Sequence, residues 1–176
     1  MNRATLLLLL APLVGVEAWA EQTCDVSRHA LSAPTERFVN NDDGTVTDTV
    51  TDLVWMRCAV GQEWSGGTCQ GAPARYSLQD ASAAAQQVNQ QGDYFFNDWR
   101  LPSLPELASI SERECQDPRI NLDVFPNTPA AMFWSRTARP GMGEGGPVYG
   151  LSFGAEGAGP VPREQPNHVR LVRYGG

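Results

Sequence analysis

Two cysteines bracket a short polar loop, and this pair constrains the fold more than any other feature of the sequence. Cys58 and Cys69 stand eleven residues apart, and the loop between them contains glycines and Trp64. A disulfide bond between them would close the loop and restrict its conformations. Such a closed loop is typical of a display surface in an exported recognition or structural module, and it does not by itself form a catalytic cleft.

The other two cysteines indicate how the N-terminus is held. The chain has four cysteines, so three pairings are open. The local pair described above leaves Cys24 to pair with Cys115, which would tie the N-terminal segment to the body. A zinc site is the competing interpretation, but the chain has no Cys-x-x-Cys, and its two histidines, His29 and His168, lack ligand spacing. A catalytic thiol needs a free cysteine, and here all four can pair.

The first 20 residues have the pattern of a signal peptide. Arg3 supplies the positive charge, Leu6–Val16 is an apolar run, and Ala18-Trp19-Ala20 fits the small-x-small cleavage rule. The run is shorter than the roughly 20 residues that span a bilayer. We therefore predict cleavage before Glu21, a periplasmic or secreted product, and no membrane span in the mature chain.

Charge and missing motifs narrow the function. The formal net charge is −7, with thirteen arginines and no lysine, so a polyanion such as DNA would meet net repulsion, and no nucleic-acid partner is expected. The sequence has no nucleophile elbow, no His-Glu-x-x-His and no phosphate loop. We therefore expect that the chain is not an enzyme.

The order of predicted elements indicates an α+β domain with a mostly antiparallel sheet. Residues 21–36 read as a polar tail, and the domain proper is assigned to 37–176. Alternating residues and the turn Asn41–Gly44 predict a β-meander over 37–58. Further strands are expected at 132–135, 148–153 and 169–173, and thirteen of the residues 140–166 are Gly or Pro, which excludes a helix there.

Two capping patterns predict the two helices. Ser77 precedes an Ala- and Gln-rich helix that Gly92 ends, and Ser103 with Glu106 forms a capping box for a second, shorter helix. Trp99 is expected in the core, and Arg100 is expected to pair with a carboxylate such as that of Glu106.

Six blocks of sequence resemble, in this order, the Lcl C-terminal domain family, formerly a domain of unknown function. The resemblance runs from about Arg37 to Arg173. The blocks are Asp43–Asp48 with Leu53–Met56, Cys58-x-x-Gly61-Gln62-x-Trp64 with Cys69-x-Gly71, Asp98–Ser103 with Glu106-Leu107, Val124–Thr128, Phe133–Ser135 and Val169–Arg173.

The resemblance implies an exported bacterial protein with a C-type-lectin-like fold and a role in adhesion. The family is named after the Legionella collagen-like protein, whose C-terminal domain is a trimeric adhesin tip that binds glycosaminoglycans. This chain departs from that protein because it is acidic and has no collagen stem. The resemblance therefore implies a non-catalytic module that binds a glycan or an envelope protein. The alternative is an accessory subunit of a pilus or secretion apparatus with no small ligand.

One acidic cluster is a candidate calcium site. Asp42, Asp43 and Asp48 supply oxygen donors close together in sequence, and calcium requires six to eight such ligands. The competing interpretation is a β-turn whose Asp side chains bond the local backbone. We favour the turn because the alternating threonines indicate a hairpin, so no cofactor is expected and calcium remains the alternative.

Aromatic residues in or beside loops are the candidate ligand contacts. Sugar rings stack on exposed aromatic faces, while arginine donates hydrogen bonds to hydroxyl and carboxylate groups. We select Trp64 in the cysteine loop, Tyr149 and Trp134 beside the Gly-rich region, and Arg136. Trp64 is the one we expect to be exposed, and the competing interpretation of Trp134 is that it belongs to the core.

Overall fold

A computed structural model describes residues 22–92 and 96–175, so the predicted signal peptide, 1–20, lies outside the described residues. These residues form eleven strands, two α-helices and a 3-10 turn at Thr35–Arg37. In chain order the elements are β1 Thr23–Cys24, β2 Phe38–Asn40, β3 Thr45–Asp48, β4 Leu53–Met56, β5 Glu63–Ser65, β6 Thr68–Gln70, α1 Leu78–Gln91, α2 Leu104–Ser109, β7 Cys115–Gln116, β8 Met132–Ala138, β9 Val148–Ser152, β10 Ala158–Val161 and β11 Val172–Tyr174.

The strands form two larger sheets and two small ones. The four-stranded sheet has the order β11-β4-β3-β2 and the three-stranded sheet the order β10-β9-β8, while β1 pairs with β7 and β5 with β6. Every pair of named strands is antiparallel. The expected α+β class, with a mostly antiparallel sheet and two helices, is therefore confirmed.

Each face of the four-stranded sheet covers its own hydrophobic core. Successive residues of a strand point to opposite faces, so Trp55 and Val54 of β4 enter different cores. Leu107 of α2 packs into the core that contains Trp55, and Leu78 of α1 packs into the core that contains Val54. One helix thus lies on each side of the sheet. The predicted burial of Trp99 is confirmed in the second of these cores.

Both helices begin where the sequence predicts, and α1 also ends at the predicted glycine. The Ser77 side chain accepts a hydrogen bond from the amide of Asp80, and Gly92 ends α1 in the left-handed conformation. In α2, Ser103 accepts from the amide of Glu106, and the Glu106 carboxylate accepts from the amide of Ser103. Such caps satisfy amides that have no partner within the helix.

The two disulfides are those that the sequence favours, Cys24–Cys115 and Cys58–Cys69. Segment 22–36, expected as a tail, nevertheless packs on the body beyond its disulfide. Ala33 is fully buried, and the carboxylate of Glu112 accepts hydrogen bonds from the amides of Ser32 and Ala33. The segment is thus held by Cys24 as expected and is mostly exposed, and long-range contacts also order its end near Ala33.

The loop closed by the second disulfide is a β-hairpin rather than an irregular loop. Trp64 of β5 pairs with Cys69 of β6. Gly66 and Gly67 connect the strands with φ of 61° and 81°, values that glycine adopts without steric cost. Two positive φ angles are typical of the hairpin turns that match strand twist. Within the described residues, neither helix is long and apolar enough to cross a bilayer.

Candidate functional site

The structure gives Asp48 a partner other than a metal ion. Its carboxylate is buried and forms a two-point ion pair with the guanidinium of Arg37, with Nε 2.6 Å from Oδ1. It also accepts from the amide of Val50 and the hydroxyl of Thr51. Burial opposes ionisation, but these hydrogen bonds bring the pKa of Asp48 below its ordinary value. Asp48 is therefore a structural carboxylate. The candidate calcium site formed with Asp42 and Asp43 thus loses one of its three proposed ligands.

The other two acidic candidates belong to the hairpin turn between β2 and β3. Oδ1 of Asp43 accepts hydrogen bonds from the amide and the hydroxyl of Thr45, at 2.9 and 2.6 Å. Oδ1 of Asp42 accepts from the side-chain Nδ2 of Asn40 at 2.7 Å, and Asp42 has a φ of 61°. No group of three acidic, His or Cys side chains placed to hold a metal occurs among the described residues.

The predicted aromatic contacts do not converge on one site. Trp134 is 0% exposed, and its indole N–H donates to the carbonyl of Tyr76 at 2.7 Å, so it offers no face to a ligand. Trp64 is half-buried, with the guanidinium of Arg57 4.2 Å from its ring centroid. Its ring also packs so closely on Gly44 that a Cβ there would lie 2.8 Å from Cγ of Trp64. Trp134 is thus wrong as a ligand contact, and Trp64 is less exposed than expected.

Arg136 and Tyr149 lie on neighbouring strands of the three-stranded sheet. The register of β8 and β9 shifts between Trp134 and Ala138, and Tyr149 stands opposite this irregular stretch. Arg136 is exposed and Tyr149 is half-buried. The role of these two residues as ligand contacts stays a prediction. They lie on a different sheet from the hairpin that carries Trp64.

A groove on the four-stranded sheet brings together groups that suit a polar ligand. It has a volume of about 360 Å³. It is lined by Asn41, Asp43, Thr47, Asp52, Val54, Phe96, Arg173 and Gly175. A larger cleft, of about 680 Å³, runs beside α1, but its lining contains no aromatic side chain. We therefore treat the smaller groove as the candidate site.

The floor of the groove is one row of the sheet. Thr47 of β3 pairs with Val54 of β4, which in turn pairs with Arg173 of β11. Directly paired residues share a face, so these three side chains lie side by side, on the face opposite to Trp55. The ladder thus fixes their spacing without help from a ligand.

An arginine and an aromatic ring form one wall. The guanidinium of Arg173 lies 3.7 Å from the ring centroid of Phe96, and its Nε donates to Oδ1 of Asp98 at 2.8 Å. The Arg173 side chain is only 11% exposed, whereas Phe96 is 40% exposed. In the described part of the chain, the two terminal nitrogens of Arg173 have no hydrogen-bond partner. The ring is therefore open to solvent beside a fixed hydrogen-bond donor.

Polar side chains of two turns form the remaining walls. The Asn41 amide nitrogen donates to the hydroxyls of Thr45 and Thr47, at 2.9 and 3.2 Å, which orients it along the β2–β3 turn beside Asp43. Asp52 lies in the β3–β4 turn with a φ of 58°, and its carbonyl accepts from the amide of Gly175. Neither Asp43 nor Asp52 forms an ion pair with any described residue.

The sequence indicates one part of this groove but not the rest. The turn that carries Asp43 was found as an acidic cluster, but Phe96 and Arg173 join it only through sheet pairing and tertiary packing. The one available signal was the cluster of aromatic and charged residues around Trp99, which includes Phe96 and Asp98. That cluster does not indicate which side chains face solvent.

Comparison with known proteins identifies the family. The model of the Lcl C-terminal domain matches residues 44–173, about three quarters of the chain. The match includes β3, β4, both helices and the start of β11, whereas β2 and the groove residues Asn41, Asp43 and Gly175 lie outside it. No curated protein matches the chain. Because the family model covers well over half of the sequence, the chain belongs to the Lcl C-terminal domain family.

Proposed function

We propose that this protein is an exported, non-catalytic recognition module of the bacterial envelope or surface that binds a glycan in the groove of its four-stranded sheet. Membership of the Lcl C-terminal domain family supports a surface or adhesion role. Two disulfides are consistent with a periplasmic or extracellular location. A C-type-lectin-like architecture is part of the proposal, and the antiparallel sheets with two helices are compatible with it.

One observation carries the glycan assignment, namely the combination of side chains around the groove. The ring of Phe96 offers an apolar face for the C–H surface of a sugar. Arg173 offers hydrogen-bond donors, and the carboxylates of Asp43 and Asp52 offer acceptors for hydroxyl groups. A few polar groups around an exposed ring are what a hydroxylated ligand requires.

The non-catalytic part of the proposal rests on the chemistry of the same groups. All four cysteines are in disulfides, so the chain has no thiol nucleophile. His168 is buried beneath the carbonyl of Ala74, to which its Nδ1 donates at 3.0 Å, and it does not line the groove. The groove carboxylates thus have no histidine or thiol partner with which to activate a substrate.

A glycan array tests the assignment. Oxidised protein comprising residues 21–176 would be screened with calcium and with chelator, together with the variants Phe96→Ala and Arg173→Gln. We expect selective binding that is the same in both buffers, because no cofactor is proposed, and at least tenfold weaker binding by Phe96→Ala. Met142→Ala is the matched control, since Met142 is an exposed apolar residue on the Gly-rich loop and does not line the groove.

Each other outcome has a definite meaning. Binding that disappears in chelator would contradict the cofactor-free proposal. Binding that survives Phe96→Ala and Arg173→Gln but is lost in Trp64→Ala or Tyr149→Ala would move the site to the aromatic residues selected from the sequence. If no glycan on the array binds and a pull-down recovers an envelope protein, the alternative function, an accessory subunit of a surface assembly, would be favoured.

A further inference from the structure

We infer that the groove selects sugars that carry a protonated amine and rejects sulfated or carboxylated sugars. This inference rests on the proposed glycan function and adds the charge of the ligand. Three features of the groove carry it: its uncompensated carboxylates, the neutralised state of its single arginine, and the open ring of Phe96.

The carboxylates leave the groove with an excess of negative charge. Asp43 and Asp52 line it and have no ion-pair partner among the described residues. Arg173 is the single basic residue of the lining, and Asp98 already holds its guanidinium at 2.8 Å. Two carboxylates therefore remain uncompensated. A sulfate or carboxylate in this groove would lose water and gain two repulsive neighbours.

The same groups provide what an ammonium group requires. A protonated amine donates up to three hydrogen bonds, and each free carboxylate accepts at both oxygens. Oδ1 of Asp43 is occupied by Thr45, but Oδ2 has no partner among residues 22–92 and 96–175. The Arg173 guanidinium already covers one face of the Phe96 ring, so a cation would use the part of this 40% exposed residue that remains open.

The hydroxyl groups of a sugar would form hydrogen bonds with the other polar side chains of the groove. The terminal nitrogens of Arg173 donate, while the side chains of Asn41 and Thr47 are held in place by their mutual hydrogen bonds and still have acceptor capacity. A lysine side chain of a protein partner would use the carboxylates and the ring but not this polar row. We therefore assign the groove to an amine-bearing oligosaccharide, such as a short chain of glucosamine residues without N-acetyl groups.

Four probes of similar length test the inference by calorimetry at low salt and mildly acidic pH. They are a glucosamine hexamer with free amines, its fully N-acetylated counterpart, a heparin-derived hexasaccharide and hexalysine. We expect the free-amine sugar to bind at least tenfold more tightly than its acetylated counterpart, and the heparin fragment to bind weakest. Added salt should reduce the difference between the two hexamers, because exposed charges are screened.

Two variants identify the groups responsible. Asp43→Asn keeps the oxygen that accepts from Thr45, and Asp52→Asn changes a residue whose side chain makes no hydrogen bond to the described residues. Each should weaken binding of the free-amine sugar about fivefold, as expected for one exposed ion pair, and leave the acetylated sugar unchanged. Glu156→Gln removes an exposed carboxylate from the turn between β9 and β10 and should bind all probes like the parent.

The possible failures are distinguishable. Equal binding of the two hexamers, with no effect of either aspartate variant, overturns the charge preference and leaves glycan recognition standing. Tightest binding of the heparin fragment also overturns the charge preference and leaves glycan recognition standing. It would indicate that the groove prefers negatively charged sugars. Binding of hexalysine without binding of any sugar overturns both statements in favour of a basic protein partner, and no binding of any probe also overturns both. Thermal unfolding of each variant confirms that it is folded.

Discussion

At the scale of single residues, the protein buries charge in two different ways. Asp48 has a cationic partner in Arg37, whereas the fully buried guanidinium of Arg170 forms no ion pair with a carboxylate among the described residues. Instead, Arg170 donates to the carbonyls of Met56 and Arg57 and to the hydroxyl of Thr128. Burial lowers the pKa of Arg170 to about 9, so it still carries its charge at neutral pH. It therefore acts as a fixed connection between two distant chain segments.

Removing the charge of Asp48 should strongly destabilise the fold. Asp48→Asn leaves Arg37 partly buried without its partner, and breaking a buried pair costs about 3–5 kcal/mol. The measurement is the free energy of unfolding in urea. Asp42→Asn is the control, because Asp42 is exposed and Asn tolerates its positive φ, so a change within about 0.5 kcal/mol is expected. Similar unfolding midpoints for the two variants would contradict the structural role of Asp48.

His168 should make the fold sensitive to mild acid. It is 7% exposed, and burial lowers its pKa from the ordinary value of 6.5, with Arg75 acting in the same direction. The unfolded chain then binds the proton more readily than the folded one. Stability is fully present above about pH 6.5 and is lost as pH falls through the lower folded pKa.

Chemical denaturation across this range checks the prediction for His168. The parent should lose stability as pH falls below the ordinary histidine pKa of 6.5, whereas His168→Asn, which keeps a donor for the carbonyl of Ala74, should lose less. Parallel pH profiles for the two proteins would exclude His168 as the source. The carboxyl of Glu106 titrates at far lower pH, because hydrogen bonds from Arg100 bring its pKa to about 2.

At the scale of elements, capping signals that act over a few residues identified the helices. An element that depends on pairing with another strand was not predicted. Ser77, Ser103 and Glu106 act within three residues of their partners, so sequence alone located both N-termini. The ion pair of Arg100 with Glu106, confirmed at 2.8 Å, spans only six residues. By contrast, β10 contains Gly159 and Pro160 and forms a strand only because β9 offers it an edge.

The β5–β6 hairpin yields a prediction about its turn. Gly67 has a φ of 81°, which a residue with a Cβ adopts at a cost of about 1–2 kcal/mol. Gly67→Ala should therefore lower stability by about 1 kcal/mol, and Gly67→Asn by less, because Asn tolerates this region. Nothing lies within 4 Å of a Cβ at this position, so steric contact does not confound the comparison. Equal stability of the two variants would argue against this turn geometry.

At the scale of the whole molecule, the sequence predicted the class and the disulfides but not the groove. The α+β class followed from the order of elements, and both pairings followed from cysteine spacing. The groove combines residues 41–54 with Phe96 and Arg173, which are separated by more than a hundred positions at the extremes. A periodic pattern within one segment does not indicate which distant residues line the same groove. The exposure of Phe96 depends on how the segments pack. The burial of Trp134, which the sequence offered only as the competing interpretation, depends on packing in the same way.

The two disulfides should differ in their contribution to stability. Cys24–Cys115 spans 91 residues and Cys58–Cys69 spans 11. In the chain-entropy description the longer span restricts the unfolded state more, by about 2 kcal/mol. Replacing Cys24 and Cys115 with serine should thus lower the unfolding midpoint further than the same change at Cys58 and Cys69. Urea denaturation of both double variants checks this order, and the reverse order would indicate that the hairpin disulfide also stabilises native packing.

The nesting of one disulfide inside the other has a consequence for biogenesis. A chain that enters an oxidising compartment with its N-terminus first presents Cys24, then Cys58 and, eleven residues later, Cys69, all well before Cys115. An oxidant that joins thiols in order of arrival would link the first two, and this product has neither native bond. Thiol–disulfide exchange would then have to reshuffle the pairs before β1 could reach β7. Yield in the host should therefore depend on a catalyst of disulfide rearrangement as well as on an oxidase.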